Sequence, residues 1–104
     1  MEIKTRVYKN TLYLALSGEL DEHSRNYTRE TLDNILENEN DIYNQVVVDL
    51  SSLDFMDSTG IGVMIGRYKK LKTKEIPLYL TNPNKHIDKI FEMTGLYKIM
   101  PKLV

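Results

Sequence analysis

The sequence contains no cysteine and only two histidines, His23 and His86, which lie far apart along the chain. Such a composition provides neither a disulfide framework nor the closely spaced ligands of a zinc site. We therefore expect no metal centre and no other cofactor, and we interpret the two histidines as surface residues or neighbours of helix caps. The lack of cysteine is compatible with the cytoplasm.

Positive charge is not in excess either. The 104 residues include 14 Lys and Arg against 15 Asp and Glu, a net charge of -1. Binding to a nucleic-acid backbone or an anionic membrane surface depends on a basic excess. The N-terminus has no charged-then-apolar leader, and no apolar run approaches the length needed to cross a bilayer. We expect a soluble cytoplasmic protein with neither DNA nor a membrane as a partner.

Apolar patterning predicts five strands, over residues 3–8, 12–17, 46–50, 76–81 and 97–100. The first two alternate around the turn Lys9-Asn10, which is typical of a β-hairpin, and Gly18 closes it. The continuous β-branched run of the third is typical of a strand covered on both faces. Residues 51–56 are expected to lead the chain out of the sheet.

Three helices are predicted from apolar residues at helical spacing: Tyr27, Thr31, Leu32, Ile35 and Leu36; then Ile61, Met64, Ile65, Tyr68 and Leu71; then Ile87, Ile90 and Phe91. The first ends at the polar run 38–44, and the second covers residues 59 to about 72. Alternating helices and strands imply parallel pairing. The expected fold is α/β, a single domain over residues 1–104, with a mixed sheet of an N-terminal hairpin plus parallel strands and helices packed against it.

Residues that favour helix ends occur at the expected places. Asp21 or Ser24 can cap the first helix, Asn82 with Pro83 forms a capping signature for the third, and Gly95 is placed at its left-handed C′ position.

The segment Asp57-Ser58-Thr59-Gly60 joins the buried strand to the second helix. The Ser58 hydroxyl could cap the first N–H groups of that helix, which is the commonest role of serine at a helix start. The same N–H groups and the helix dipole would also stabilise a phosphate there. The position therefore suits a phosphorylation switch.

The second helix carries an unusual face opposite its apolar stripe, made of Thr59, Gly62, Val63, Gly66 and Lys70. Each exposed mid-helix glycine costs about 1 kcal/mol relative to alanine. One interpretation is a flat docking patch around Val63, beside Ser58. The other, equally favoured by the sequence, is that the glycines allow close contact between helix and sheet.

Other classes of site fit less well. Asp49 at the end of a strand resembles the phosphoacceptor of a response-regulator receiver, but the acidic pair expected after the first strand is replaced by a hairpin turn. A serine hydrolase would need the first glycine of G-x-S-x-G, which is absent before Ser58. Gly60, Gly62 and Gly66 are spaced one residue too widely for a dinucleotide-binding loop. We expect a protein that is not an enzyme.

Four segments carry a resemblance that covers nearly the whole chain: residues 18–21, 53–63, 66–70 and 90–96, of which the segment 54–62 is highly specific. They closely resemble the STAS domain of bacterial anti-sigma factor antagonists. Residues 66–70 are more similar to the sporulation-type antagonist of the sigma-F pathway than to the general stress-response type. Members commonly continue past the position of Met100 into another helix, so less cover is expected on one sheet face.

The resemblance implies that Ser58 is phosphorylated by the anti-sigma factor, itself an ATP-dependent serine kinase. The unmodified form would bind that kinase and displace the sigma factor, and a metal-dependent serine phosphatase would restore it. Asp21 and Asp57 would flank the phosphoacceptor and take part in kinase recognition. With the docking patch, this gives the predicted kinase-binding residues Asp21, Asp57, Thr59, Gly60, Gly62, Val63 and Gly66. The alternative is a STAS scaffold or sensing module of a larger assembly, where modification of Ser58 or Thr59 only tunes packing.

Overall fold

A five-stranded sheet forms the centre of the protein, whose computed structural model describes residues 1–38 and 42–103. The strands lie across the sheet in chain order: β1 (Glu2–Tyr8), β2 (Thr11–Leu20), β3 (Gln45–Met56), β4 (Leu78–Thr81) and β5 (Lys102–Leu103). β1 and β2 pair antiparallel, and the other neighbours pair parallel. The predicted mixed sheet is confirmed.

Helices connect the parallel strands: α1 (Arg25–Leu36), α2 (Ser58–Lys72) and α3 (Lys85–Thr94), the last followed by a 3-10 helix (Leu96–Lys98). Each crossover leads to the next strand in the same direction, so right-handed connections place the three helices on one face of the sheet. α1 packs along α2. Within the described ranges, no helix is long and apolar enough to span a bilayer.

The core lies between the helices and the sheet. The strand residues buried there include Leu12, Leu14, Leu16, Val46, Val48, Leu50, Leu78 and Leu80. Met64 and Leu71 of α2 pack against them as predicted, with Ile61, Ile65 and Tyr68 partly buried. In α1 the prediction for Tyr27 is wrong, because this side chain is exposed and Thr28 is buried in its place.

β3 is longer than predicted, because residues 51–56 remain in the sheet and pair with β2 as far as Leu20. Of these residues only Leu53 and Met56 are buried, three positions apart, so the segment lacks the strict alternation by which strands are recognised. Gly18 (φ 107°) lies within β2 and does not close the hairpin. Asp49 is likewise inside β3, where its carboxylate accepts a hydrogen bond from the Ser51 N–H at 3.0 Å.

The predicted strand over residues 97–100 is also wrong. Leu96–Lys98 form the 3-10 helix, and the last strand follows at Lys102–Leu103. Leu96 and Met100 are the buried residues of this segment, and their spacing of four is helical. β4 begins at Leu78, two residues later than predicted.

One predicted turn and one predicted helix end are confirmed. Lys9 and Asn10 both have positive φ, the geometry of the two-residue hairpin turn that matches strand twist. Gly95 ends α3 in the left-handed conformation with φ 74°. α1 ends at Leu36, and residues 39–41 of the polar run after it lie outside the described residues.

The cap predicted for α3 is displaced. Asn84, and not Asn82 with Pro83, is its N-cap, and the Asn84 side chain accepts a hydrogen bond from the Ile87 N–H at 2.9 Å. The Asn84 amide also donates to the Leu53 carbonyl at 3.3 Å, which fixes the helix to the end of β3.

Candidate functional site

Asp57 is the residue that caps α2. Its backbone is extended, and its Oδ1 accepts hydrogen bonds from the N–H groups of Thr59 at 2.9 Å and Gly60 at 3.2 Å. The Asp57 N–H donates to the Leu20 carbonyl at 3.4 Å, which ties the start of α2 to the end of β2. The predicted capping role of Ser58 is therefore wrong, because the preceding residue performs it.

Ser58 is the first residue of α2, and it is exposed. Its hydroxyl has no hydrogen-bond partner in the part of the chain that the structure describes. The N-terminus of a 15-residue helix lies beneath it, where N–H groups and the helix dipole favour negative charge. The hydroxyl is therefore accessible for modification and is not needed to hold the helix.

We expect Asp57→Ala to lower the free energy of unfolding by about 1 kcal/mol, the usual effect of losing a side-chain N-cap. Ser58→Ala is the matched control, and it should leave stability almost unchanged because the Ser58 hydroxyl makes no cap. Urea unfolding of both variants measures the difference. A larger loss for Ser58→Ala than for Asp57→Ala would contradict this assignment.

Gly60 is buried where α2 crosses the sheet. A Cβ at this position would lie 2.6 Å from Met56 Cγ, 2.8 Å from Leu20 Cγ and 2.8 Å from the Leu20 carbonyl oxygen. The close contact between helix and sheet that was considered for Gly62 and Gly66 is thus found at Gly60 instead. Its role is to let α2 lie against the ends of β2 and β3.

Gly62 and Gly66 differ from Gly60. Added Cβ atoms at these two positions would meet nothing within 4 Å. Helix-on-sheet packing therefore does not explain them, and the flat-surface interpretation is favoured. We call Ser58, Thr59, Gly62 and Gly66 the open face of α2.

Val63 does not belong to the open face. Its side chain is only 5% exposed and lies in the core cluster, so its predicted place in the docking patch is wrong. α2 is buried on two sides, because α1 packs along it beside the sheet. The residues at 63 and 67 lie one helical turn apart on that second buried side.

Arg67 was missed by sequence reasoning. Only 8% of its side chain is exposed, and its Nε lies 2.9 Å from Asp33 Oδ1 on α1. The Lys70 Nζ lies 3.0 Å from the same oxygen and 3.5 Å from Glu37 Oε1. Burial lowers the pKa of the Arg67 guanidinium, and the Asp33 carboxylate opposes that shift. An ion pair between two helices leaves no mark on the periodicity of either one.

Asp21 lies next to the start of α2, one residue after the Leu20 carbonyl that binds Asp57. Its Oδ1 accepts hydrogen bonds from the N–H groups of His23 at 3.0 Å and Ser24 at 3.1 Å. Asp21, Glu19 and Asp54 line an acidic cleft of about 670 Å³. Both histidines are exposed as predicted. Among the described residues, no cluster of three or more acidic or histidine side chains could hold a metal ion.

Comparison with known proteins gives consistent matches along the chain. A family model, the STAS domain, matches residues 2–104. The chain is 34% identical over 101 residues to the anti-sigma F factor antagonist of Paenibacillus polymyxa, an alignment that covers 97% of this chain and 85% of that relative.

Solved structures share the fold. The unphosphorylated form of the anti-sigma factor antagonist SpoIIAA superposes with a TM-score of 0.74 at 24% identity, covering 99% of this chain and 89% of that one. The phosphorylated form of the Bacillus cell fate determinant SpoIIAA superposes with a TM-score of 0.67 at 26% identity, covering 99% and 92%.

Proposed function

The chain belongs to the STAS domain family, and we propose that it is an anti-sigma factor antagonist switched by phosphorylation of Ser58. The unmodified form binds an anti-sigma factor that is also a serine kinase, and the sigma factor is released. The kinase then transfers the γ-phosphoryl group of ATP to Ser58 Oγ, ADP leaves, and the hydroxyl proton passes to the kinase. A metal-dependent serine phosphatase restores the unmodified form. The protein itself is the substrate and catalyses no step.

The observation that carries this proposal is that Asp57 and Ser58 have different roles at the start of α2. Asp57 supplies the cap, and the Ser58 hydroxyl is exposed without a partner among the described side chains. A phosphate adds about −1.5 to −2 charge, which at an exposed helix N-terminus is favourable by about 0.3–1 kcal/mol. The fold therefore tolerates the modification. SpoIIAA, which shares this fold, has been solved in both states.

The open face of α2 explains why phosphorylation of Ser58 would change the affinity for a partner. With no side chain at Gly62 or Gly66, another protein's backbone can approach α2 closely. Ser58 lies at the end of this face, so its hydroxyl would be covered in the complex. A phosphate there would carry a strongly hydrated charge that must lose its water when the partner covers this face, which weakens association.

The other predicted kinase-binding residues divide into two groups. Thr59 and Asp21 are half-buried and can touch a partner, and the acidic cleft around Asp21 suits a basic side chain of the kinase. The remaining three support the site without contacting the partner. Asp57 caps α2, and Gly60 and Val63 pack the helix on the core. We further propose that the pathway is of the sigma-F, sporulation type, as the name of the Paenibacillus relative supports, and that binding occurs in the cytoplasm.

Phosphopeptide mass spectrometry tests the assignment of the modified residue. After incubation with an anti-sigma F kinase and ATP, we expect one phosphate on Ser58 and none on Ser58→Ala protein. Modification of Thr59 alone would overturn the assignment. A large homomeric particle, in place of a one-to-one complex with the kinase, would favour the scaffold alternative.

Gly62→Gln tests the open face directly. Glutamine is a better helix former than glycine, so the free energy of unfolding should rise by about 0.5 kcal/mol. Affinity for the kinase should fall at least tenfold, because the new side chain holds the partner away from α2. Asn34→Gln, an exposed position in α1, is the control and should bind normally. Equal affinity of the two variants, measured by calorimetry, would contradict a docking role for this face.

A further inference from the structure

A groove between α1 and α2 brings three arginines next to Ser58. It has a volume of about 280 Å³, and its lining includes Arg25, Arg29, Arg67, Ser58, Thr59 and Gly62. Arg25 and Arg29 lie one turn apart on α1, and Arg67 lies on α2. The groove therefore concentrates positive charge in a protein whose net charge is -1.

Arg67 contributes to this groove a guanidinium that burial holds in place. Its Nη1 is buried and has no hydrogen-bond partner among the described residues, and its Nε contacts Asp33 as an ion pair without the geometry of a hydrogen bond. The positive charge of Arg29 lies close enough to lower the pKa of Arg67 further. A buried guanidinium nitrogen without an acceptor is the kind of group that an anion satisfies.

The first turn of α1 carries a cation, although Asp21 just before it accepts hydrogen bonds from the N–H groups of His23 and Ser24. Arg25 is the first residue of the helix, no acidic residue occurs in the first turn, and the N-cap Ser24 makes no side-chain cap bond. The Ser24 hydroxyl instead donates to the Glu19 carbonyl at 2.7 Å. A cation at the positive end of a helix is unfavourable. The first residues of α1 and α2, Arg25 and Ser58, line the same groove.

We infer that this groove receives the phosphoryl group of Ser58 within the same chain, with Arg25 and Arg29 closing over it above the fixed guanidinium of Arg67. This inference rests on the proposed phosphorylation of Ser58. Arginine forks match phosphate oxygens in bidentate geometry, and a phosphoserine presents up to three acceptor oxygens. The neighbouring carboxylates are already engaged, Asp57 by two N–H groups and Asp33 by Arg67 and Lys70.

The consequence is a second component of the switch. In the unmodified protein Arg25 and Arg29 are exposed beside the open face. After phosphorylation they are drawn onto the phosphate and bridge α1 to α2. The modified protein is then a separately stabilised state with its own hydrogen bonds.

The test uses protein carrying phosphoserine at position 58, incorporated during translation so that no kinase is needed. A ³¹P NMR titration measures its second pKa, which is about 6 in an unperturbed phosphoserine. We expect this pKa to be lower by about 1 unit in the otherwise native protein than in Arg25→Gln/Arg29→Gln protein, because the arginines favour the dianion. Lys4→Gln/Arg6→Gln removes the same charge from β1 and should leave the value unchanged.

Arg25→Lys/Arg29→Lys keeps the charge but loses the fork, and it should give an intermediate pKa. Circular dichroism of the unmodified variants checks that each one is folded. Equal pKa values in native and Arg25→Gln/Arg29→Gln proteins would overturn the inference. If the phosphorylated protein nevertheless fails to bind the kinase, the proposed function stands without this receptor. If the phosphorylated protein binds as tightly as the unmodified one, the proposed function itself fails.

Discussion

Ser58→Asp is expected to weaken binding to the anti-sigma kinase by about a hundredfold or more, while Ser58→Ala binds as tightly as the unmodified protein. A hundredfold loss corresponds to about 2.7 kcal/mol. This is within the range of about 2–5 kcal/mol for a charge left unpaired in an interface. The hydroxyl makes no hydrogen bond to the described residues, so its removal disturbs nothing inside the domain.

The same substitution should not damage the fold. An aspartate at the first position of α2 interacts favourably with the helix dipole, so the thermal midpoint of Ser58→Asp should equal or slightly exceed that of the native protein. Asn44→Asp provides the control, because it adds the same charge at an exposed residue. Asn44 lies just before β3, whereas Ser58 lies just after the other end of that strand. Equal kinase affinities for Ser58→Asp and Asn44→Asp would count against a local effect.

Gly60→Ala is expected to be the most destabilising of the alanine substitutions at the three glycines of α2. The new methyl group would lie 2.8 Å from the Leu20 carbonyl oxygen, a backbone atom that cannot rotate away. Overpacking of this kind lowers the free energy of unfolding by about 1–3 kcal/mol. In a domain of 104 residues each kcal/mol shifts the thermal midpoint by about 4–8 °C.

Gly62→Ala and Gly66→Ala are matched controls on the same helix. They add the same methyl group where nothing lies within 4 Å. Both should therefore raise the free energy of unfolding, by about 0.5–1 kcal/mol each. Thermal unfolding of the three variants should separate Gly60 from the other two by sign. A common sign would show that the three glycines share one role.

The fold was predictable to the extent that burial follows a regular period. The apolar stripe of α2 has such a period, and the structure confirms it. The Val46–Val48 part of β3 was predictable for another reason, because it is a continuous β-branched run, and all three side chains are buried. The second half of β3 was not predicted, because the register shifts of its pairing with β2 break the alternation of buried and exposed residues. The last strand was not predicted at its true position, because it has only two residues and both are exposed.

The site was predictable in position and less so in detail. The segment around Ser58 identified the start of α2, but an aspartate before a helix is as good a cap as a serine, and the structure assigns the role to Asp57. The burial of Val63 and Arg67 depends on α1 packing beside α2. That contact joins residues more than thirty positions apart, such as Asp33 and Arg67, and a helical wheel of α2 alone cannot contain it.

Calorimetric titration of the anti-sigma kinase with the protein carrying phosphoserine at position 58, and with its unmodified form, tests the central claim most directly. The account predicts tight one-to-one binding of the unmodified form and at least about a hundredfold weaker binding of the phosphorylated form, with both forms equally folded. Equal affinities for the two forms would contradict it.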